Sequence, residues 1–354
     1  MDNVINEWLG GVADRKGLSY NVRQVLKDCL YVTCIILEYR SGAGGRELME
    51  DIGTMSEGLR DMPSSVDNFE YAIINGGTAV TITGYNGSGG NATIPRFIEG
   101  LPVVSINDNA FQLNTNLTSV IIPDSVTYIG IGAFYGCIDL ENVTIGNGVS
   151  YIGDFAFCYC TNLTSVNIPD SVTSIGYEAF SYCISLENVI IGNGVTSIGS
   201  YAFYECTNLT SVNIPGSVTA IGNYAFYECT NLTSVNIPGS VNYIGQYAFD
   251  GCISLRNVII GNGITNIGEY AFFDCYALDN VNIPGSVTSI GYEAFCYCYA
   301  LENLTIGNGV NYIGDFAFYD CTQLDNVTMS MYSHRSIENC VMTSLLLIFS
   351  GSQS

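Results

Sequence analysis

Apolar positions along this chain recur with a period of 23 residues. The pair Ala-Phe stands at 110-111 and again at 133-134, 156-157, 179-180, 202-203, 225-226, 248-249, 271-272, 294-295 and 317-318, with no insertion between the copies. Between one pair and the next, apolar residues fall at fixed places. After Phe203 come Cys206, Leu209, Val212, Ile214, Val218, Ile221 and then Ala225-Phe226. Val212 and Ile214 are two apart, so on a strand they point to the same side and Asn213 points to the other. Leu163, Val166 and Ile168, and Leu278, Val281 and Ile283, repeat the arrangement. Each unit thus supplies about eight inward side chains, more than one unit can cover by itself, and only stacking removes them from water. At ~4.8 Å per stacked strand, ten units predict a rod or arc of roughly 45–50 Å.

Two turn chemistries follow the strand. One is Pro-x-Ser, at Pro123, Pro169, Pro215, Pro238 and Pro284; the other is Gly-Asn-Gly, at 146-148, 192-194, 261-263 and 307-309. Proline fixes φ, whereas glycine permits φ > 0. They alternate except at the consecutive Pro215 and Pro238, as a duplicated unit would leave them. Glycine also fills one column throughout, from Gly130, Gly153 and Gly176 to Gly314. A corner with φ > 0, or a close approach of two backbones, explains such a column.

The run Leu209-x-x-Val212-x-Ile214 has the leucine-rich strand form. With the Cys206, Ile214-Pro215 and Ala225-Phe226 columns, it resembles the BspA-type leucine-rich repeats over about residues 68–329. The resemblance implies a leucine-rich-repeat solenoid: a right-handed coil of about ten 23-residue units, with one short β-strand per unit in a parallel sheet. It implies a role in adhesion or protein binding, no catalytic residues, and a place at the cell surface or outside the cell. The stretch Met1-Asp-Asn-Val-Ile-Asn-Glu7 is not a signal peptide and no anchor is recognisable, so an intracellular place is the alternative.

Outside the array, Leu18, Val22, Val25, Leu26 and Leu30 have helical spacing, and so do Leu48, Met49, Ile52, Met55 and Leu59. Residues 1–65 therefore read as a small helical segment, a cap or oligomerisation module, or a docking module. Phe69 to Ile74 and Thr78 to Thr83 flank Asn75-Gly-Gly77, a hairpin signal. Residues 66–109 read as a β-rich N-terminal cap, 110–329 as the solenoid, and 330–354, where Ala-Phe is lost, as an irregular C-terminal cap or tail. The apolar runs 29–37 and 341–349 are each nine residues, too short to span a bilayer.

Charge narrows the partners. The net charge is −23, and between 97 and 330 twenty Asp and Glu face one cation, Arg256. Such a surface repels phosphate, so nucleic acid and anionic membrane are poor partners. Nine of the fourteen cysteines (137, 160, 183, 206, 229, 252, 275, 298 and 321) share one inward column. Parallel inward side chains make poor disulfide geometry, so a ladder of buried free thiols is expected. Cys158 and Cys296 each follow the Phe of the repeat and are expected to point outward. The single His334 lies outside the array, and no metal or cofactor site is expected.

The outward positions of the strand are the candidate ligand-binding residues. They are Thr164, Ser165 and Asn167; Glu187 and Asn188; Thr210, Ser211 and Asn213; Thr233, Ser234 and Asn236; and Arg256 and Asn257. Tyrosines such as Tyr182, Tyr201, Tyr204, Tyr224, Tyr227 and Tyr247 fill a second set of outward or corner columns, which suits either an interface or packing between neighbouring repeats. Three function classes compete. A non-enzymatic protein-binding scaffold leads, adhesin-like, with a protein of the extracellular matrix or a cell surface as partner. A structural or particle-associated accessory protein docked through residues 1–62 is second. An enzyme is third, disfavoured because no nucleophile–base pair, phosphate loop or metal cluster is present in the array.

Overall fold

A computed structural model describes residues 64–329. The helical stripes of 18–59 and the apolar run of 341–349 lie outside the described residues.

The chain forms a parallel β-solenoid of about eleven turns. A short 3-10 turn, Val66–Asn68, leads into an antiparallel hairpin, β1 (Phe69–Ile74) with β2 (Ala79–Tyr85). Its turn carries Asn75, Gly76 and Gly77, all at positive φ. Strand β3 (Gly90–Thr93) follows. The residues inserted after Arg96 then fold as a small antiparallel pair, β4 (Phe97–Ile98) with β5 (Leu101–Ile106). From β6 (Leu117–Ile122) and β7 (Tyr128–Ile129) onward every turn repeats one plan.

That plan holds two strands per unit where the sequence reading placed one. A long strand such as Ser165–Ile168 is followed, after the Pro-x-Ser or Gly-Asn-Gly turn, by a two-residue strand such as Ser174–Ile175. The long strands stack into an 11-stranded sheet, and the short strands continue the β1–β2 hairpin into a 13-stranded one. Neighbouring turns pair in parallel register, for example Val166 with Val189 and Ile175 with Ile198. The second strand leaves no signal in the sequence because two residues show no alternation.

The Ala-Phe flank is held differently. Alternate N–H groups there donate to the following turn, as from Tyr201 to Asn223, Phe203 to Ala225 and Glu205 to Tyr227, at 2.8–2.9 Å. Two residues per turn adopt positive φ, one just before Ala-Phe and one two after it. Tyr201 (59°) and Glu205 (52°) are an example. Most of these residues are not glycine, so each carries a local cost that the hydrogen bonds of the next turn offset.

The glycine column has the second of its two expected causes. Gly153, Gly176 and Gly199 do not have positive φ. A Cβ on Gly153 would lie 2.6 Å from the carbonyl carbon of Gly130, and one on Gly176 2.6 Å from that of Gly153. The Gly-Asn-Gly turns obey the same rule, since a Cβ on Gly194 would strike the Asp170 carbonyl oxygen. Glycine serves here because two backbones touch.

The core is a set of ladders. The ten Phe rings of the repeat, Phe111 to Phe318, stack at centroid separations of 4.7–5.4 Å. Tyr85 stacks on Phe111 at 5.2 Å and Phe69 meets its edge at 6.3 Å, so the hairpin closes the N-terminal end of the ladder. The nine column cysteines are buried and free. Each thiol donates to the carbonyl of a Phe in the turn before, as Cys206 does to Phe180 at 3.2 Å. Burial pushes the thiols from Cys137 to Cys298 up, to about 12 at Cys137.

Cys158 and Cys296 correct an expectation. Both are buried, at 1% exposure, not outward. Their column also holds Tyr135, Tyr204, Tyr227 and Phe273, which are half-buried. Cys296 lies between the turns of Phe273 and Tyr319 in that column, and Cys158 between those of Tyr135 and the buried Ser181. Thiol reagents at pH 8 should therefore leave all eleven described cysteines unmodified in the folded chain. Intact mass should show at most three adducts, since Cys29, Cys34 and Cys340 lie outside the described residues, and fourteen in denaturant. More than three adducts on the folded chain would contradict the buried ladder.

Candidate functional site

The long-strand sheet presents one solvent-facing surface. Along each strand Val and Ile are buried and the residues between them are exposed, as at Ser165–Ile168 and Ser234–Ile237. All thirteen candidate residues, from Thr164 to Asn257, are exposed on this surface. Parallel register brings Ser211 beside Asn188 and Ser234, and Asn213 beside Asn236.

Their hydrogen bonds divide them. The hydroxyls of Thr164, Thr210 and Thr233 donate to the carbonyls of Glu141, Glu187 and Thr210 in the preceding turn, at 3.2–3.3 Å. These threonines spend their donors on the stack. Ser165, Asn167, Ser211, Asn213, Ser234 and Asn236 keep theirs for solvent or a partner. Glu187 and Arg256 stand at the two ends of the uncharged centre formed by Thr210 and Thr233. The column of Thr210 continues past Arg256 with Asp279, Glu302 and Asp325.

Two residues belong beside this set. Ile190 and Ile259 are 62% and 63% exposed. They occupy the column of Asn213 and Asn236, one on either side, because Ile190 pairs with Asn213 and Asn236 with Ile259. The face is thus a row of Ile, Asn, Asn and Ile spanning ~14 Å, three strand spacings. Ile259 was legible as a break in alternation, since Val258, Ile259 and Ile260 are three apolar residues in a row.

The tyrosine columns are mainly packing. Tyr201, Tyr224, Tyr247 and Tyr270 stack face to face at 4.4–4.6 Å. Tyr204 and Tyr227 form a parallel stack at 4.8 Å. Faces engaged in this way are closed to a ligand; edges and hydroxyls remain outside. Burial, followed by the carboxylates of Asp250, Glu228 and Glu205, pushes the Tyr227 hydroxyl up to about 12. It stays a neutral donor at physiological pH. Among the described residues no group of three or more His, Cys, Asp or Glu is placed to hold a metal ion.

A family model described as the BspA type leucine rich repeat region matches residues 104–233 and 219–345, in six copies. Among solved structures, a leucine rich repeat protein of T. pallidum is 29% identical, with a TM-score of 0.46, over 61% of this chain and 90% of that one. A leucine rich cell surface protein of Faecalibacterium prausnitzii A2-165 is 30% identical, with a TM-score of 0.37, over 78% of this chain and 97% of that one. A leucine-rich repeat protein of Bacteroides ovatus is 24% identical, with a TM-score of 0.36, over 75% and 94%. No curated protein matches the chain.

Proposed function

Since this chain belongs to the BspA-type leucine-rich repeat family, we propose that it is a non-enzymatic protein-binding scaffold of adhesin-like kind. Its partner in this reading is a protein of the extracellular matrix or of a host or neighbouring cell. The observation that carries it is the central strand face. Asn213, Asn236, Ser211 and Ser234 offer side-chain donors and acceptors not used by the stack, on a frame held in register by ladders on either side. Ile190 and Ile259 add apolar contacts at its ends. Many such contacts repeated along an array add up to avidity. Among the described residues no helix is long and apolar enough to cross a membrane.

The test is surface-based binding of the full chain to a panel of matrix and cell-surface proteins. The pair Asn213→Arg and Asn236→Arg should weaken the recognised partner at least tenfold, about 1.4 kcal/mol. Ala220→Arg, exposed on the short-strand sheet, should leave it unchanged. Equal affinity for all three proteins removes the strand face from the proposal, and no binding to any member of the panel counts against the scaffold reading.

A further inference from the structure

One carboxyl group of the array is inside it. Asp250 is 8% exposed and stands in the column that also holds Cys158, Ser181, Tyr204, Tyr227, Phe273 and Cys296. Its backbone is held on both sides: the Asp250 carbonyl accepts from the Glu228 N–H at 2.8 Å, and Gly251 N–H donates to Phe273 at 3.0 Å. The neighbouring column holds Glu228, Gly251 and Asp274 on successive turns. Gly251 has no side chain there, and the Glu228 carboxylate leans into the vacated place. Its carboxyl carbon lies 2.8 Å from where a Gly251 Cβ would be. Asp250 thus lies beside two other carboxylates. The only cations of the described sequence are Arg96 and Arg256, and Arg256 points outward on the strand face.

We propose that Asp250 is a proton latch: with its carboxyl neutral, the turns at 228, 250 and 274 pack, and with it ionised, this corner of the tyrosine flank opens. The other titratable groups around it are Tyr224, Tyr227, Tyr247 and the thiols of Cys252 and Cys275, all neutral when protonated. None supplies a countercharge. Burial first, then Asp274 and Glu228, push the Asp250 carboxyl up to about 8, against the lowering effect of the Gly251 N–H. Glu228 and Asp274 are themselves raised, chiefly by burial. A carboxyl that binds its proton more tightly in the folded chain contributes stability that is complete below its unfolded value of 3.8. That contribution falls as pH rises and is gone above about 8. The latch therefore weakens from mild acid to mild alkali.

The test compares thermal unfolding of the full chain with that of Asp250→Asn at pH 4, 7 and 9. Asparagine has the shape of the neutral acid and cannot ionise. At pH 4 the two should melt together. At pH 7 the variant should melt higher, and by pH 9 the gap should reach at least ~5 °C. Should asparagine pack badly, Asp250→Ser should show the same widening gap, because the same column already accommodates a fully buried serine at Ser181. Hydrogen exchange, corrected for its intrinsic pH dependence, should show protection at 228 and 247–252 lost between pH 6 and 9 in the parent and kept in Asp250→Asn. Superimposable melting curves at all three pH values, or a gap that does not grow with pH in either variant, would overturn the latch.

Discussion

Phe226→Ala should cost the array about 3–5 kcal/mol, measured as a lowered urea midpoint. Phe226 is fully buried and stacks on Phe203 at 5.3 Å and Phe249 at 5.2 Å. Truncation removes a large buried ring, leaves a cavity that a regular stack cannot close without shifting every turn beyond it, and breaks two ring contacts worth ~0.5–1.5 kcal/mol each. Position matters, because stability in a stacked array is a sum of repeat and neighbour terms. Among the described residues Phe318 stacks on Phe295 alone, so Phe318→Ala should cost less. Equal losses at 226 and 318 would show that the ladder does not couple the turns as its geometry requires. Separate unfolding transitions for the two sides of Phe226 would agree with that coupling and locate the break.

Gly199→Ala should be similarly damaging despite adding a single methyl. The new Cβ would lie 2.5 Å from the Gly176 carbonyl oxygen and 2.7 Å from its carbonyl carbon. Both are main-chain atoms of the preceding turn, which no rotamer change can move. Gly199 N–H also donates to Ile175 at 3.0 Å, so the two turns cannot separate without losing that bond. Overpacking of this kind costs ~1–3 kcal/mol where side chains can yield, and backbone contact places Gly199→Ala at or above the upper end. Gly216→Ala is the control. It lies in a Pro-x-Ser turn, has ordinary φ and meets nothing within 4 Å. Its effect should be neutral or slightly stabilising, because alanine restricts the unfolded chain. A Gly199→Ala protein with the parent's midpoint would mean that the turns are not in contact there.

The candidate face was legible residue by residue in its exposure, because strand alternation sorts inward from outward. Its chemistry was not. Thr210 and Ser211 look equivalent in sequence, yet Thr210 donates its hydroxyl to Glu187 of the turn below while Ser211 keeps its own for solvent. Which of the two is used depends on where the neighbouring carbonyl falls, and that is set by stacking. The tyrosines were open between interface and packing, and the 4.4–4.6 Å ring separations decide for packing. Asp250 did not stand out among twenty acids until the rings and turns around it were in place.

The period of 23, the Ala-Phe and Cys columns and the alternation of Val212 and Ile214 were enough by themselves to determine a stacked solenoid and its regular inward columns. A side chain repeated at one position in ten units has the same environment ten times, so local pattern and global fold say the same thing. Only the tertiary structure decided where the backbone is strained. The glycine column from Gly130 to Gly314 marks contact between turns, and most of the left-handed positions belong to Tyr201, Glu205 and their equivalents, with glycine there only at Gly132, Gly136 and Gly251. Glycine's two uses, space and φ > 0, are indistinguishable in a sequence. They separate only when the next turn is present, because that turn supplies both the atoms a Cβ would strike and the hydrogen bonds that hold a tyrosine at positive φ.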